Sequence, residues 1–164
     1  MLKDKLNTIN AKLESFLSTS ECQCAVVLAN QVSPIPPYPY VAYTLTQARS
    51  EHGGIYGIDE NGNRTMEFDS VISYTVQSDD EDEAVFLAVK AAAWFQEIGT
   101  TFFSDNDVYI KRVGSVTNRD NLISVQYEYR DGFDVTFTTV EKLEASQFDE
   151  DGYIETAVPQ YYEK

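Results

Sequence analysis

Residues 78–99, SDDEDEAVFLAVKAAAWFQEIG, constrain the fold more than any other stretch, because they are helical by several local criteria and are bordered on both sides by sequence of period two. Ser78 and Glu81 have the spacing of a capping box, the acids at 79 to 83 suit the positive end of a helix dipole, and Gly99 can end the helix. This predicts a helix over about residues 80–98. Val85, Leu87, Ala88, Ala91, Ala92, Trp94, Phe95 and Ile98 fall on one broad apolar face, and the stripe of Leu87, Ala91, Trp94 and Ile98 is expected to point inward. Phe86 and Ala93, however, stand on the side of Lys90 and Glu97, so polar residues keep only a narrow strip. A helix this widely apolar is covered twice, by its own sheet and by a second surface, which is either the first helix or a neighbouring subunit. Phe86 and Ala93 are the expected lateral contact with that neighbour.

The rest of the chain supplies the sheet. Residues 2–19 place Leu2, Leu6, Ile9, Leu13, Phe16 and Leu17 on one helical stripe, giving an amphipathic N-terminal helix over 1–19. After a short strand at CAVVLAN, the prolines at 34, 36, 37 and 39 remove backbone donors, so the next ladder can begin only beyond Pro39. The glycines and Asx residues of EHGGIYGIDENGNRT predict a flexible hairpin loop over 53–64, ahead of the alternating MEFDSVISYTV. Ile55, Tyr56 and Ile58 are apolar anchors and Arg64 is a charge with which this loop could meet a partner. From Asp107 onward, VYIKRVGSV, a turn at TNRDN, LISVQYEY and FDVTFTTVEKL read as three consecutive antiparallel strands. The last two are expected to join through a two-residue turn at Asp131-Gly132, pairing residues 122–129 with 133–140 and requiring positive φ at the turn. Residues 145–164 form a C-terminal tail in which GYIETAV is expected to pair or pack. The whole of 1–164 reads as a single α+β domain, a mainly antiparallel sheet with two main helices packed on it.

Charge narrows the partners. With 27 acids against 12 bases the formal charge is −15, which repels phosphate backbones and anionic membranes, so a direct grip on DNA is not expected. No segment approaches the roughly 20 apolar residues that span a bilayer, and the N-terminus lacks the pattern of a secretory leader, which points to synthesis in a cytoplasm. Cys22 and Cys24 are too close in sequence for an unstrained bridge and read as small buried thiols in a strand.

Chemical readings of the remaining motifs are weaker than their structural ones. The acids at 79 to 83 begin a helix and do not converge on a cation. DENGNR resembles the opening of a calcium loop, but its glycine stands at the fourth position instead of the sixth and no glutamate closes the loop, so it reads as a turn. His52, beside Ser50 and Glu51, cannot make a triad with its own neighbours. No catalytic residue, metal site or cofactor is expected. A small enzyme or carbohydrate-binding domain, with the aromatics of YEYRDGF stacking on a sugar, stands as the alternative from another class.

The succession PPYPYVAYTL, then SYTVQSDDEDEA leading into AAAWF, then VTNRDNLISVQYEYRDGFDVTFTTVE resembles the neck or tail terminator family of long-tailed bacteriophages over about residues 36–140. The resemblance implies a small α+β virion protein that forms a homo-oligomeric ring, usually a hexamer, on the tail tube, stops its growth and offers the surface to which the head connector docks. DNA would pass through the lumen without specific binding, and an acidic subunit suits such a passage. Another neck or head-completion connector protein is the neighbouring alternative. The first helix and the C-terminal tail lie outside the resembling stretch.

Overall fold

The computed structural model describes residues 2–20, 22–30, 34–51, 57–120 and 128–145. In chain order the elements are α1 (Leu2–Leu17), β1 (Ala25–Leu28), β2 (Tyr40–Glu51), β3 (Gly57–Ile58), β4 (Arg64–Ser78), α2 (Glu81–Ala93), a π-helical turn (Trp94–Ile98), α3 (Thr100–Asp105), β5 (Val108–Val113), β6 (Thr117–Asn118) and β7 (Tyr129–Leu143). The sheet runs β1-β2-β4-β7-β5, with β3 added to β4 and β6 to β7. β1 lies parallel to β2 and all other pairings are antiparallel. This is the α+β arrangement expected from sequence, and β2 begins at Tyr40, directly after Pro39.

The described helices all lie on one face of the sheet. Alternation along β4 and β7 turns Ile72, Tyr74 and Val76 towards that face together with Phe133, Val135 and Phe137, and all six are buried. α2 lies over β4 and β7, α3 and the π turn over β5, and α1 against β1 and α2. The stripe Leu6, Ile9, Leu13 and Leu17 of α1 is buried as its periodicity required. At the centre, the Tyr74 ring has Phe95 at 5.0 Å and Phe133 at 5.8 Å between centroids, and its hydroxyl donates to Asn10 Oδ1 at 3.0 Å.

The expected Asp131-Gly132 turn is not formed. Both residues lie inside β7, paired with Val76 and Thr75 of β4 on one side and with Asn118 and Thr117 of β6 on the other. The strand expected over 122–129 falls largely on residues 121–127, outside the described residues, and the turn expected at TNRDN instead holds β6. Gly132 serves close approach, because a Cβ there would stand 2.5 Å from the Tyr74 carbonyl oxygen and 2.9 Å from Cδ and Cζ of Arg119. Arg119 lies across this floor and donates from Nη1 to Ser73 Oγ at 2.5 Å and Thr75 Oγ1 at 3.1 Å, and from Nη2 to Asp134 Oδ1 at 3.0 Å.

The helix after β4 also departs from expectation. Its N-cap is Asp80, whose carboxylate accepts the Glu83 N–H at 2.9 Å, while Ser78 donates to the Glu83 carboxylate at 2.6 Å and accepts the Asp80 N–H at 3.1 Å. The capping spacing is thus Asp80 with Glu83, not Ser78 with Glu81. The α-helix stops at Ala93, and the π turn that follows fits an extra residue into its turn, so Trp94 and Phe95 both enter the core while Ile98 is left 59% exposed. Ile98 is therefore not an inward residue. The cysteines precede β1 and do not lie in it; Cys24 is fully buried, and burial pushes its thiol up to about 12.

Candidate assembly surface

Residues four apart on an α-helix share a face, so Val85, Val89 and Ala93 line one edge of α2, and Phe86 stands beside them. Phe86 is 65% exposed, Val89 52% and Val85 42%, while Ala93 is half-buried. This crest faces away from the sheet and exposes three large apolar side chains together, where a solvated helix face usually carries polar residues. Phe86 and Ala93, the expected lateral contact, thus lie on this side of α2. Val85, which sequence assigned to the core face, belongs to the crest as well, because the buried arc is already filled by Ala84, Leu87, Ala88, Ala91 and Ala92. Val89 was not singled out, although its spacing from Val85 and Ala93 carried the signal.

The tip of the β2–β4 hairpin is the second exposed feature. Ile55 and Tyr56 lie outside the described residues, as does His52. Ile58 in β3 pairs with Arg64 at the start of β4; Ile58 is 64% exposed and Arg64 half-buried. Between them the chain turns about Asp59. Its carboxylate accepts the Asn61 and Asn63 N–H groups, both at 2.9 Å, Asn63 Nδ2 at 2.8 Å and Lys142 Nζ at 2.8 Å, while Gly62 adopts φ of 80°. Asn63 Oδ1 accepts the Ala145 N–H at 3.1 Å, so the backbone of the tip is fastened to the end of β7. DENGNR is therefore a turn whose carboxylate is already engaged.

The Lys142 ammonium and the Asn63 groups hold the Asp59 carboxyl well below its ordinary value of 3.8. A folded-state value below the unfolded one means that these bonds stabilise the tip above about pH 4 and are lost as pH falls through the folded value. The Asn61 and Asn63 amide resonances are expected to titrate together with a midpoint below 3.8, and Lys142→Ala to move it upward. A midpoint at or above 3.8 in the intact protein would show that the carboxylate is not so engaged.

The helix-free sheet face is polar. Thr44, Ser73 and Asp134 follow one another across β2, β4 and β7, as do Ala42, Thr75 and Gly132. Lys111 is the extra residue of a bulge in β5, and the bulge sends its ammonium to Asp69 at 2.6 Å, where Thr138 also donates at 2.6 Å. Of the residues of YEYRDGF, Phe133 is fully buried under α2 and Asp131 is 5% exposed, so neither can meet a sugar, while Tyr129 is half-buried and Tyr127 lies outside the described residues. A cleft of about 320 Å³ beside Pro34, Ile35 and Pro36 has Tyr40, Gln77 and Arg130 among its lining residues, and there the Tyr40 hydroxyl donates to Gln77 and Arg130 pairs with Glu128 at 2.7 Å. Among the described residues no cluster of metal-ligating side chains occurs, and no helix is long and apolar enough to cross a membrane.

Among the described residues the helices cover one face of the sheet, and the covering helix α2 leaves an apolar crest exposed. The description of phage neck terminator proteins matches residues 7–161, and the chain belongs to that family. Its role is structural, in the neck and tail region of a virion. The match takes in most of α1 and nearly all of the tail, beyond the stretch over which the resemblance was legible. No curated protein matches the chain.

Proposed function

We propose that this protein is a tail terminator: a homo-oligomeric ring, a hexamer, that caps the tail tube, ends its growth and presents the docking surface for the head connector. The observation that carries this reading is the open crest of α2, where Phe86 is 65% exposed on a helix whose other side is in the core. In this reading Phe86 and Ala93 form the lateral contact between subunits. Ile55, Tyr56, Ile58 and Arg64 form the loop that meets the tube or the adjacent subunit. The formal charge of −15 keeps passing DNA from adhering to the ring. Assembly takes place in the host cytoplasm, and no cofactor takes part.

Phage lacking this protein are expected to accumulate heads together with unjoined tails of uncontrolled length, visible by electron microscopy. Tails of uniform length that lack only heads would sink the terminator reading and favour a connector instead. At the tip, Ile58→Asp is expected to leave stability within about 0.5 kcal/mol of wild type, as for an exposed position, while reducing retention on purified tubes. Unchanged retention would remove Ile58 from the contact.

A further inference from the structure

The crest of α2 carries charge as well as apolar area. Glu81 and Asp82 are exposed one turn before Val85 and Phe86, Glu97 is exposed in the π turn beyond Ala93, and none of the three acids makes an ion pair with another described residue. Lys90, the basic residue within α2, has its ammonium 5.1 Å from the Phe16 ring centroid. A ring requires a heterologous contact, in which one patch meets a different patch on the next copy.

The complementary patch lies on the helix-free side, at β5. Tyr109 and Arg112 pair with Thr138 and Thr136 of β7 and so share that face with them. Tyr109 is 56% exposed, and Arg112 is exposed and makes no ion pair with another described residue. An exposed aromatic beside an uncommitted guanidinium is the counterpart of an exposed aromatic beside uncommitted carboxylates. The two patches lie on different faces of the subunit, as a head-to-tail contact requires.

We infer that the α2 crest of one copy seats on the β5 part of the next copy's sheet, with Phe86 packed against Tyr109 and Asp82 paired with Arg112. This rests on the ring reading and adds to it which surface receives the crest, and hence that the contact runs head to tail.

Charge reversal tests it on the full chain. Asp82→Arg and Arg112→Glu, each made alone, are expected to raise the concentration needed for assembly by about tenfold or more in native mass spectrometry, with both variants still folded: Arg112→Glu melts as wild type, and Asp82→Arg melts a few degrees lower because it puts a cation in the first turn of α2. An equimolar mixture of the two variants restores assembly near wild type, because an alternating ring then contains only restored or native contacts. Normal assembly of either single variant would overturn the pairing while leaving the ring reading intact. Two defective variants that fail to rescue each other would likewise place the contact elsewhere. Wild-type protein that remains monomeric both free and on purified tubes would overturn the inference and the ring together.

Discussion

Gly132→Val is expected to lower the stability of the free subunit by about 3 kcal/mol, at the upper end of what overpacking costs, which at this chain length is a fall of roughly 6–12 °C in melting temperature. The added Cβ would be 2.5 Å from the Tyr74 carbonyl oxygen and 2.9 Å from two Arg119 atoms. Arg119 can move aside, at the loss of its bonds to Ser73, Thr75 and Asp134. The Tyr74 backbone cannot follow, because its carbonyl belongs to a central strand and its ring is fully buried between Phe95 and Phe133. Combining Gly132→Ala with Arg119→Ala separates the two walls: a cost that persists without Arg119 belongs to the strand contact. An unchanged melting temperature for Gly132→Val would mean that β4 and β7 do not approach as described.

Phe86→Glu is expected to do the opposite, leaving the melting temperature at wild type and abolishing ring formation on tails. The side chain is 65% exposed, so its replacement removes little buried area, whereas a carboxylate at the centre of a subunit contact must be desolvated without a partner. Leu87→Glu is the control one residue away. Leu87 is 6% exposed, and the same substitution there should unfold the subunit. If Phe86→Glu also unfolds it, Phe86 is a core residue and the crest is not an assembly surface.

These two residues show what was legible in the sequence and what was not. Phe86 could be placed because a helix exposes its pattern locally: the excess apolar width is visible within seven residues. The role of Gly132 could not, because Asp-Gly between alternating segments is the local signature of a hairpin, and only pairing with β4, more than fifty residues earlier in sequence, reveals an unbroken strand. The π turn was hidden for a similar reason. WFQEI has ordinary helical composition, and the wider turn accompanies contacts of Trp94 with Phe95, Phe102 and Phe103 that no local pattern announces. The tip lay between these cases. Its turn residues announced a loop, but the bonds that fasten it come from Lys142 and Ala145, which no local pattern connects to Asp59 and Asn63.

The ladder between β4 and β7 has a mechanical meaning. Every one of the 15 residues of β4 is matched by a residue of β7 with no bulge between them, a span of about 50 Å. One end of β4 is the hairpin tip and the other is the cap of α2, so a single member ties the tip to the helix that carries the crest. A pull along that member loads all its cross-strand bonds in parallel, as shear, instead of opening them one after another like a zipper. Slack is absent from the path between the two ends. A displacement imposed at the tip is therefore expected to reach the first turn of α2.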